Sequence, residues 1–482
     1  MTRSNCTIII LSLCLIILVF ACIYEWPLLT GTYHPRPVKL IQTIAKTEIG
    51  EKFVILYSNR LDWMVRNKYG RYKDIDPENP AKARFLWAGF VFIVLVAMFV
   101  AIVSLILFII CATQNKAPPT PKAALFVILL LVILNGTITR LIFASVLYGN
   151  NDIKNMERVS KLVVDGKNVY ASTKSYPYSP VWFHFMGAFQ RLHQRFGALT
   201  FTFITRSFLT LIDLLTLLFL LLIASREKIS LVKTSIFFYL NPVSYLITGY
   251  HGQFENFAIL MVVVSLFTYI KLRQQKPVLG VILPWIFATV GMTIKHNIFY
   301  ELIICLNRAI KRYWLKLLLF VISVCIFLSL FIPYWSEGKK GIIKWVFMYS
   351  GGYTTVYGIP TLIKLRYLKW AFIAGMFIFP LFLKSKDIIR QCLMGMLFFM
   401  TFTTGISIQY FILPIALGAL RPSKGFLLYS LAAGLFTIGS GNNVAIPLLE
   451  EIVTWNIVWV ASVFWFIAEF QRDRCPELIA HT

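Results

Sequence analysis

The sequence has few acidic residues and lacks the cysteine patterns of metal sites and disulfide-rich folds. Only 21 Asp and Glu residues stand against 47 Lys and Arg, so the 482-residue chain has a formal net charge of +26. Its eight cysteines include no Cys-x-x-Cys pair and no Cys/His ligand spacing, and most lie within apolar stretches. This distribution indicates small core residues and neither a disulfide framework nor a zinc site.

The chain also lacks a basic domain with stacking aromatic side chains, which argues against a nucleic acid partner. Its Lys and Arg residues form short clusters between apolar runs, and no alternating β-barrel pattern is present. Hydrophobic residues, in contrast, make up 58% of the chain, and the mean hydropathy is +0.73. Runs of about 20 apolar residues cross a bilayer as helices. The composition therefore predicts an all-α polytopic membrane protein.

The apolar runs predict about 12–14 transmembrane helices. They lie at 7–24, 85–112, 123–148, 201–224, 233–250, 255–271, 277–294, 298–310, 314–334, 362–383, 388–407, 410–420, 425–440 and 450–470. A retained helix at 7–24 is favoured over a cleaved signal peptide. We divide the chain into an N-terminal two-span addition with a long outer loop, a membrane core, and C-terminal spans with a short cytoplasmic tail, at 1–122, 123–420 and 421–482.

The basic clusters between the spans predict the orientation, because short cytoplasmic loops are rich in Lys and Arg. Such clusters fall on one side at 226–233, 271–276, 308–312, 384–390, 421–424 and 472–474. Both termini are then predicted to be cytoplasmic. The segments that share the opposite, outer face are 149–200, 251–255, 295–297, 335–361, the residues around 408, and 441–449.

Polar residues mark the stretch from Asn241 to Asn256, at a predicted membrane boundary. It carries His251, Gln253 and Glu255. Ionisable and amide side chains near hydrocarbon usually face a cavity or a substrate path, so the three residues predict a functional site. The alternative interpretation is a polar turn between two helices.

Further polar residues are predicted on the same outer face. Asp152, just past a helix end, is the candidate general base, since a group-transfer enzyme needs a carboxylate to take a proton from an attacking hydroxyl; otherwise it is a helix-terminal or N-cap aspartate. Lys295-His296 forms a cationic turn between short apolar stretches. Gln409-Tyr410 places an amide and a phenol at the outer end of another pair of apolar stretches.

Two arginines, Arg140 and Arg206, lie within apolar helices, and Asp213 follows Arg206 by two turns in one helix. A cation in hydrocarbon needs an anion, so Asp213 is interpreted as a possible structural counter-ion and a lipid phosphate as the other candidate. Because Asp213 is too deep to neutralise every cation, we expect Arg206 and Lys295 to hold a phosphate.

In this order, the residues resemble the membrane glycosyltransferases of the GT-C superfamily, in particular the dolichyl-phosphate-glucose-dependent glucosyltransferases of N-glycan assembly and related bacterial enzymes. An Arg helix leading to Gly-Asp-Tyr/Phe-Glu in that family resembles Arg140 followed by Asn151-Asp152-Ile153-Lys154, with Lys154 in place of the acid. The family's Asn-Pro…His-Gly-His-Phe-Gln is similar to the stretch from Asn241 to Glu255, with Gln253 and Glu255 substituted.

Four more short patches carry the resemblance, which extends from about residue 140 to 420. A Tyr-Pro-Pro signature resembles Tyr176-Pro177-Tyr178; an Arg and Asp of one helix look like Arg206 and Asp213; a Lys-Gln or Lys-Pro turn resembles Lys295-His296; and Gln-Tyr-x-x-x-Pro resembles the run from Gln409 to Pro414.

The resemblance implies a GT-C-like bundle with an outer-face catalytic cavity. It further implies transfer of a hexose or pentose, with inversion, from a polyprenyl-phosphate sugar to an acceptor hydroxyl on a glycan, lipid or protein. Asp152 is the predicted base, and Arg140, Arg206, Lys295 and His296 are predicted to bind the donor phosphate. The predicted substrate-cavity residues are Tyr176, Tyr178, His251, Gln253, Glu255, Gln409 and Tyr410. No cofactor or metal is predicted.

Two other functions stay open. A transporter or lipid flippase also uses intramembrane charges, but no inverted repeat is visible and the polar residues gather on one face. A non-catalytic subunit is the other alternative, because of Lys154. The predicted outer loops contain no Asn-x-Ser/Thr sequon, which favours a bacterial plasma membrane over the endoplasmic reticulum. We expect Asp152, His251, Glu255, Lys295 and Gln409 to line one outer cavity.

Overall fold

The computed structural model describes residues 122–146, 151–174, 176–197, 199–348, 357–359, 368–439 and 454–474. Within these ranges the chain is helical and contains no β-strand, which confirms the all-α prediction there. The predicted N-terminal addition lies outside the described residues, apart from residue 122. Part of the predicted outer segment 335–361 and all of the predicted outer segment 441–449 also lie outside them.

The helices of these ranges are numbered in chain order. Helices α1 to α9 are Lys122–Val146, Asn151–Val164, Val169–Ser172, Pro180–Arg195, Phe201–Arg226, Leu231–Tyr239, Pro242–Tyr245, Glu255–Leu272 and Leu279–Ile294. Helices α10 to α17 are Phe299–Ala309, Tyr313–Ser329, Trp335–Gly341, Leu368–Ile378, Ile388–Phe402, Ile415–Leu420, Lys424–Gly439 and Trp455–Arg474. Short π-helices occupy Leu246–His251 and Ile342–Phe347, and 3₁₀-helices occupy His296–Ile298, Ile332–Tyr334, Phe379–Leu381 and Ile408–Ile412.

Three helices of the described part are long and apolar enough to cross a membrane. They are α5, α8 and the continuous helical run Tyr313–Phe347, whose most apolar windows have mean hydropathies of 2.5, 1.6 and 2.8. A span needs about 20 apolar residues, which these helices supply within the usual range. The predicted total of 12–14 spans stays a prediction.

Helix α8 lies at the centre of the fold, between α5 and α9. Ala258, Val262 and Leu266 recur every fourth residue along it and are at most 1% exposed. Side chains at this spacing share one face of a helix, so a single apolar stripe packs into the neighbouring helices. Helix α5 contacts α1 on another side, and its first turn is capped by Thr200, whose hydroxyl accepts from the Phe203 amide at 3.1 Å.

The span predicted at 233–250 is interrupted in the structure. Helix α6 ends at Tyr239, and the Asn241 side chain accepts a hydrogen bond of 3.0 Å from the Val243 amide, with Pro242 in the first turn of α7. A π-helix follows and ends at Gly252, whose φ of 67° lies in the left-handed region. The prediction of one continuous helix was wrong, because apolar composition alone does not reveal the helix cap, the proline or the π-helix that interrupt the run.

Basic clusters predicted to share one face meet at one end of the molecule. Arg308 donates to the Lys386 carbonyl, Arg421 pairs with Asp387 at 2.9 Å, and Tyr269, near the end of α8, donates to the Arg308 carbonyl at 3.4 Å. The start of α8 at Glu255 lies about 21 Å from Tyr269, given a rise of 1.5 Å per residue. Residues near Glu255 therefore lie at the opposite end from the basic clusters.

Candidate functional site

Asp152 stands in the first turn of α2 and contacts the stretch that begins α8. Its Oδ2 accepts a hydrogen bond of 2.6 Å from Nε2 of Gln253, a residue 101 positions away in the chain. Ile153 and Met156 are buried, whereas Lys154 is exposed. Because residues two apart point to different sides of a helix, Lys154 lies away from the Asp152 carboxylate. Lys154 therefore takes no part in the Asp152–Gln253 contact.

The π-helix and Gly252 hold Gln253 in place. The backbone N–H of Gln253 donates to the Ile247 carbonyl at 3.2 Å, which closes the turn. A Cβ atom at Gly252 would lie 2.8 Å from Cδ1 of Ile153 and 3.3 Å from Cγ of Arg206. Three segments thus converge on a position that only glycine fits, next to the Asp152 carboxylate.

Glu255 and Lys295 form a buried ion pair beside this contact. Lys295 Nζ lies 2.5 Å from Glu255 Oε1, and the two side chains are 2% and 0% exposed. Gln253, whose side chain bonds Asp152, stands two residues before Glu255, so the ion pair adjoins the Asp152–Gln253 contact. Removing one partner of such a pair costs about 3–5 kcal/mol. Glu255 is thus a protein anion for Lys295, and the role of Lys295 in binding a donor phosphate stays a prediction.

Aromatic rings surround the Lys295 ammonium group. Nζ lies 4.1 Å from the ring centroid of Tyr178, 4.3 Å from that of Phe254 and 5.7 Å from that of Tyr410. Rings at these distances attract a cation, most strongly where water is excluded. The predicted cavity residues Tyr178 and Tyr410 therefore belong to the Lys295 surroundings.

Tyr176, in contrast, is an aromatic packing residue behind the site. It is 4% exposed, packs edge-on against Tyr178, and donates its hydroxyl to the Ser179 carbonyl at 2.9 Å. Burial raises the pKa of the Tyr176 phenol well above its ordinary value, so it stays a neutral donor. Ser179 in turn donates to the Thr293 carbonyl, which fixes the segment before α4 against the Lys295 turn.

Arg140 and Asp213 form a second fully buried ion pair. Arg140 Nε donates to Asp213 at 2.9 Å, and its other nitrogens donate to the Gly136 and Tyr239 carbonyls and to Ser244 Oγ at 3.0, 2.9 and 2.7 Å. The guanidinium also lies 4.2 Å from the Tyr239 ring centroid. Asp213 is therefore a structural counter-ion, and its partner is Arg140 of α1 rather than Arg206 of its own helix. The phosphate role of Arg140 stays a prediction, although its guanidinium is occupied by protein groups.

Arg206 is also fully buried, one helical turn inside α5. It donates to the Phe143 carbonyl at 3.1 Å and to the Tyr250 carbonyl, at the end of the π-helix. Its side chain passes Gly252, as described above, so it lies on the Asp152 side of α5. Arg206, unlike Arg140, thus contacts the end of the π-helix and Gly252, the residues that precede Gln253.

The remaining predicted residues lie around this cluster. His251 is the last residue of the π-helix and is 2% exposed, with its ring 5.7 Å from that of Tyr250. Gln409 is 7% exposed and accepts from the Ser407 hydroxyl, and its 3₁₀-helix contacts both the π-helix and α8. His296 follows Lys295, with its ring 5.9 Å from that of Phe327.

Neither the family models nor the curated proteins compared with this chain match it. The chemistry of the cluster therefore has to be argued from its own residues. Among the described residues, no group of three or more His, Cys, Asp or Glu side chains is arranged to hold a metal ion.

The sequence analysis missed a buried carboxyl group on α10. Glu301 is 1% exposed, and the Cys392 thiol of α14 lies within hydrogen-bond reach of its carboxyl group. A Cβ atom at Gly395 of α14 would lie 3.2 Å from its Oε1, so the two helices pack closely around it. An acidic residue inside the apolar run 298–310 was the available signal.

Proposed function

We propose that the chain is a multi-pass membrane glycosyltransferase that transfers a hexose or pentose from a polyprenyl-phosphate sugar to an acceptor hydroxyl, with inversion. The observation that carries the proposal is the contact between Asp152 and Gln253, beside the Glu255–Lys295 pair. These residues come from three separate chain segments. Asp152 and Lys295 stand in patches that carry the sequence resemblance, and Gln253 and Glu255 are substitutions within a third patch. A carboxylate offers about four acceptor sites on its two oxygens, so the bond from Gln253 does not by itself exhaust its capacity to accept a proton.

Asp152 would act as the general base. Its carboxylate takes the proton of the acceptor hydroxyl, and the acceptor oxygen attacks the anomeric carbon from the side opposite the lipid phosphate. The bond between the anomeric carbon and the phosphate oxygen breaks, and its electron pair leaves with the polyprenyl phosphate. The acceptor is a glycan, lipid or protein hydroxyl, and the reaction needs no cofactor or metal in this proposal.

Cationic groups would stabilise the charge that grows on the departing phosphate. Arg206 is the leading candidate, since it is fully buried, donates to the Phe143 and Tyr250 carbonyls, and passes Gly252 beside Gln253. Lys295 and His296 would act beside it. Lys295 has its charge balanced by Glu255, so its contribution depends on sharing the ammonium group between Glu255 and the phosphate.

The active site is proposed to lie at the outer or lumenal face, with a bacterial plasma membrane favoured over the endoplasmic reticulum. The gathering of Arg308, Lys386 and Arg421 at the other end of the molecule supports this orientation, because cytoplasmic loops concentrate basic residues. The Asp152 cluster lies at the start of α8, away from that end.

A panel assay tests the proposed function. The purified protein is incubated with polyprenyl-phosphate glucose, mannose, galactose and arabinose, together with an acceptor lipid extract, and released polyprenyl phosphate is measured. Release that depends on acceptor and on at least one of these donors is the expected result. If the protein moves labelled lipid across liposome membranes without releasing lipid phosphate, it is instead a transporter or flippase, the alternative reading of its buried charges.

A further inference from the structure

Two oxygen atoms at the centre of the Asp152 cluster have no hydrogen-bond partner among the described residues. They are Oε1 of Gln253 and Oε2 of Glu255. Each belongs to a side chain that is 0% exposed and whose other polar atom is engaged: Gln253 Nε2 with Asp152, and Glu255 Oε1 with Lys295. Buried polar atoms in folded proteins are nearly always paired, so these two point to a group that is absent from the chain itself.

The chemistry of the two atoms selects the kind of group that pairs with them. An amide oxygen and a carboxylate oxygen only accept hydrogen bonds, so the missing group must donate. A lipid phosphate carries acceptor oxygens and negative charge, and Glu255 would repel it. A sugar ring, in contrast, presents neighbouring hydroxyl groups that each donate one hydrogen bond.

The positions of the two atoms also fit a sugar beside the proposed base. Gln253 and Glu255 are two residues apart at the entrance to α8, and each is fixed by a partner from another segment. Their fixed orientation means that a hydroxyl group meets a preorganised acceptor, which is how a site distinguishes a sugar from its deoxy analogue.

We propose that Gln253 Oε1 and Glu255 Oε2 accept hydrogen bonds from two hydroxyl groups of the transferred sugar. The site then requires a donor sugar with free hydroxyl groups at two ring positions and rejects its deoxy analogues at those positions. This inference rests on the proposed function and adds the feature of the sugar that is recognised.

A substrate–variant cycle tests the inference. The polyprenyl-phosphate sugar that the wild type uses best is compared with its monodeoxy analogues, one for each ring hydroxyl, in the wild type and in Gln253→Met. Loss of one hydroxyl is expected to lower the wild-type kcat/KM by about 10- to 100-fold, as for a hydrogen bond of about 1.5–3 kcal/mol to a buried polar group. The same deletion is expected to cost Gln253→Met less than about 3-fold.

Two further variants keep the result interpretable. Gln190→Met, in α4, also removes a buried side-chain amide, whose oxygen accepts a hydrogen bond of 3.2 Å from the Ser160 hydroxyl. This variant should discriminate between the parent sugar and its deoxy analogues as the wild type does. Glu255→Gln keeps the shape of the side chain and should lose discrimination at a different ring position from Gln253→Met. It also serves as the test if Gln253→Met does not fold.

Three outcomes overturn the inference. Full discrimination in both Gln253→Met and Glu255→Gln means that other residues recognise the hydroxyl groups. A wild type that accepts every deoxy analogue within about 3-fold of the parent means that the two oxygens pair with water. Both results leave the proposed function intact. A wild type that releases no lipid phosphate from any donor of the panel removes the proposed function, and the inference with it.

Discussion

At the residue scale, the buried ion pairs Arg140–Asp213 and Glu255–Lys295 each join side chains from different helices or turns. Arg206 and Asp213 share a helix and were natural partners by spacing, yet Asp213 pairs with Arg140 of α1. Lys295 finds its anion in Glu255, 40 residues earlier in the chain. Which residue compensates a buried cation depends on how helices pack, and the spacing along one helix does not contain that information.

The Arg140–Asp213 pair should stabilise the fold strongly. Changing Arg140→Met leaves the Asp213 carboxylate buried without its cation, and we expect a loss of about 3–5 kcal/mol in the free energy of unfolding. Lys161→Met is the matched control, because the Lys161–Glu157 pair has a similar distance of 2.9 Å but is exposed, so its loss should cost less than about 1 kcal/mol.

Thermal unfolding of the two variants in the same detergent measures the difference. A similar fall in Tm for Arg140→Met and Lys161→Met would show that the buried pair is not a structural element. Asp213→Asn combined with Arg140→Met should recover part of the loss, since the double variant removes the uncompensated charge.

At the scale of elements, the turn from the π-helix to α8 decides where Asp152 and Gln253 meet. Gly252→Ala should lower transfer by at least about 10-fold, because its Cβ would approach Ile153 to 2.8 Å and displace the start of α2, and misplacement of a catalytic group by about 1 Å can cost 100-fold. Gly166→Ala is the control, since Gly166 has a similar φ of 69° but no atom within 4 Å of the added Cβ.

The left-handed backbone alone costs either alanine variant about 1–2 kcal/mol. Assays of transfer and of Tm on both variants separate this cost from the steric one. Equal transfer rates in Gly252→Ala and Gly166→Ala would mean that the approach to Ile153 does not position Asp152.

A second contact between elements depends on pH. His184 of α4 forms a hydrogen bond of 2.8 Å with the Tyr334 hydroxyl, and burial, with Arg191 nearby, lowers the pKa of His184 below its ordinary value of 6.5. Below pH 6.5 the unfolded chain binds this proton more readily than the folded one. The contribution of His184 to stability is therefore complete above pH 6.5 and declines as the pH falls through the lowered pKa of the folded state.

His184→Gln should flatten this part of the pH dependence of Tm between pH 7 and pH 5. His193→Gln, in the same helix but bonded instead to the Leu199 carbonyl, is the comparison. If the wild type and His184→Gln lose the same Tm over that interval, protonation of His184 does not weaken the contact between α4 and Tyr334.

At the scale of the whole molecule, two long apolar runs in the described part were predicted well, whereas an interruption of a third was not. Helices α5 and α8 begin and end within two residues of the runs 201–224 and 255–271, because uninterrupted apolar length determines such helices. The run 233–250 is divided because Asn241 caps a new helix and Gly252 ends a π-turn. Asp152 and Gln253, both placed on one face from the basic clusters, are in contact, whereas the shared outer cavity stays a prediction.

The buried partners of Gln253 and Glu255 could not be read from sequence in the same way. Orientation rules place loops on a face, but they do not say which side chains touch or which oxygen atoms stay unpaired. Glu301 shows the same limit, because its environment depends on how closely α10 approaches Gly395 of α14.

The most direct test of the central claim is single-turnover transfer by Asp152→Asn with a polyprenyl-phosphate sugar. The variant should bind the donor with unchanged affinity, because Asp152 acts on the acceptor, and the rate of transfer should fall by about 10²- to 10⁴-fold, as for loss of a general base. Asp165→Asn, an exposed aspartate that follows the same helix, should keep the wild-type rate. An Asp152→Asn rate above about a tenth of the wild type, with donor bound, would contradict the assignment of Asp152 as the base.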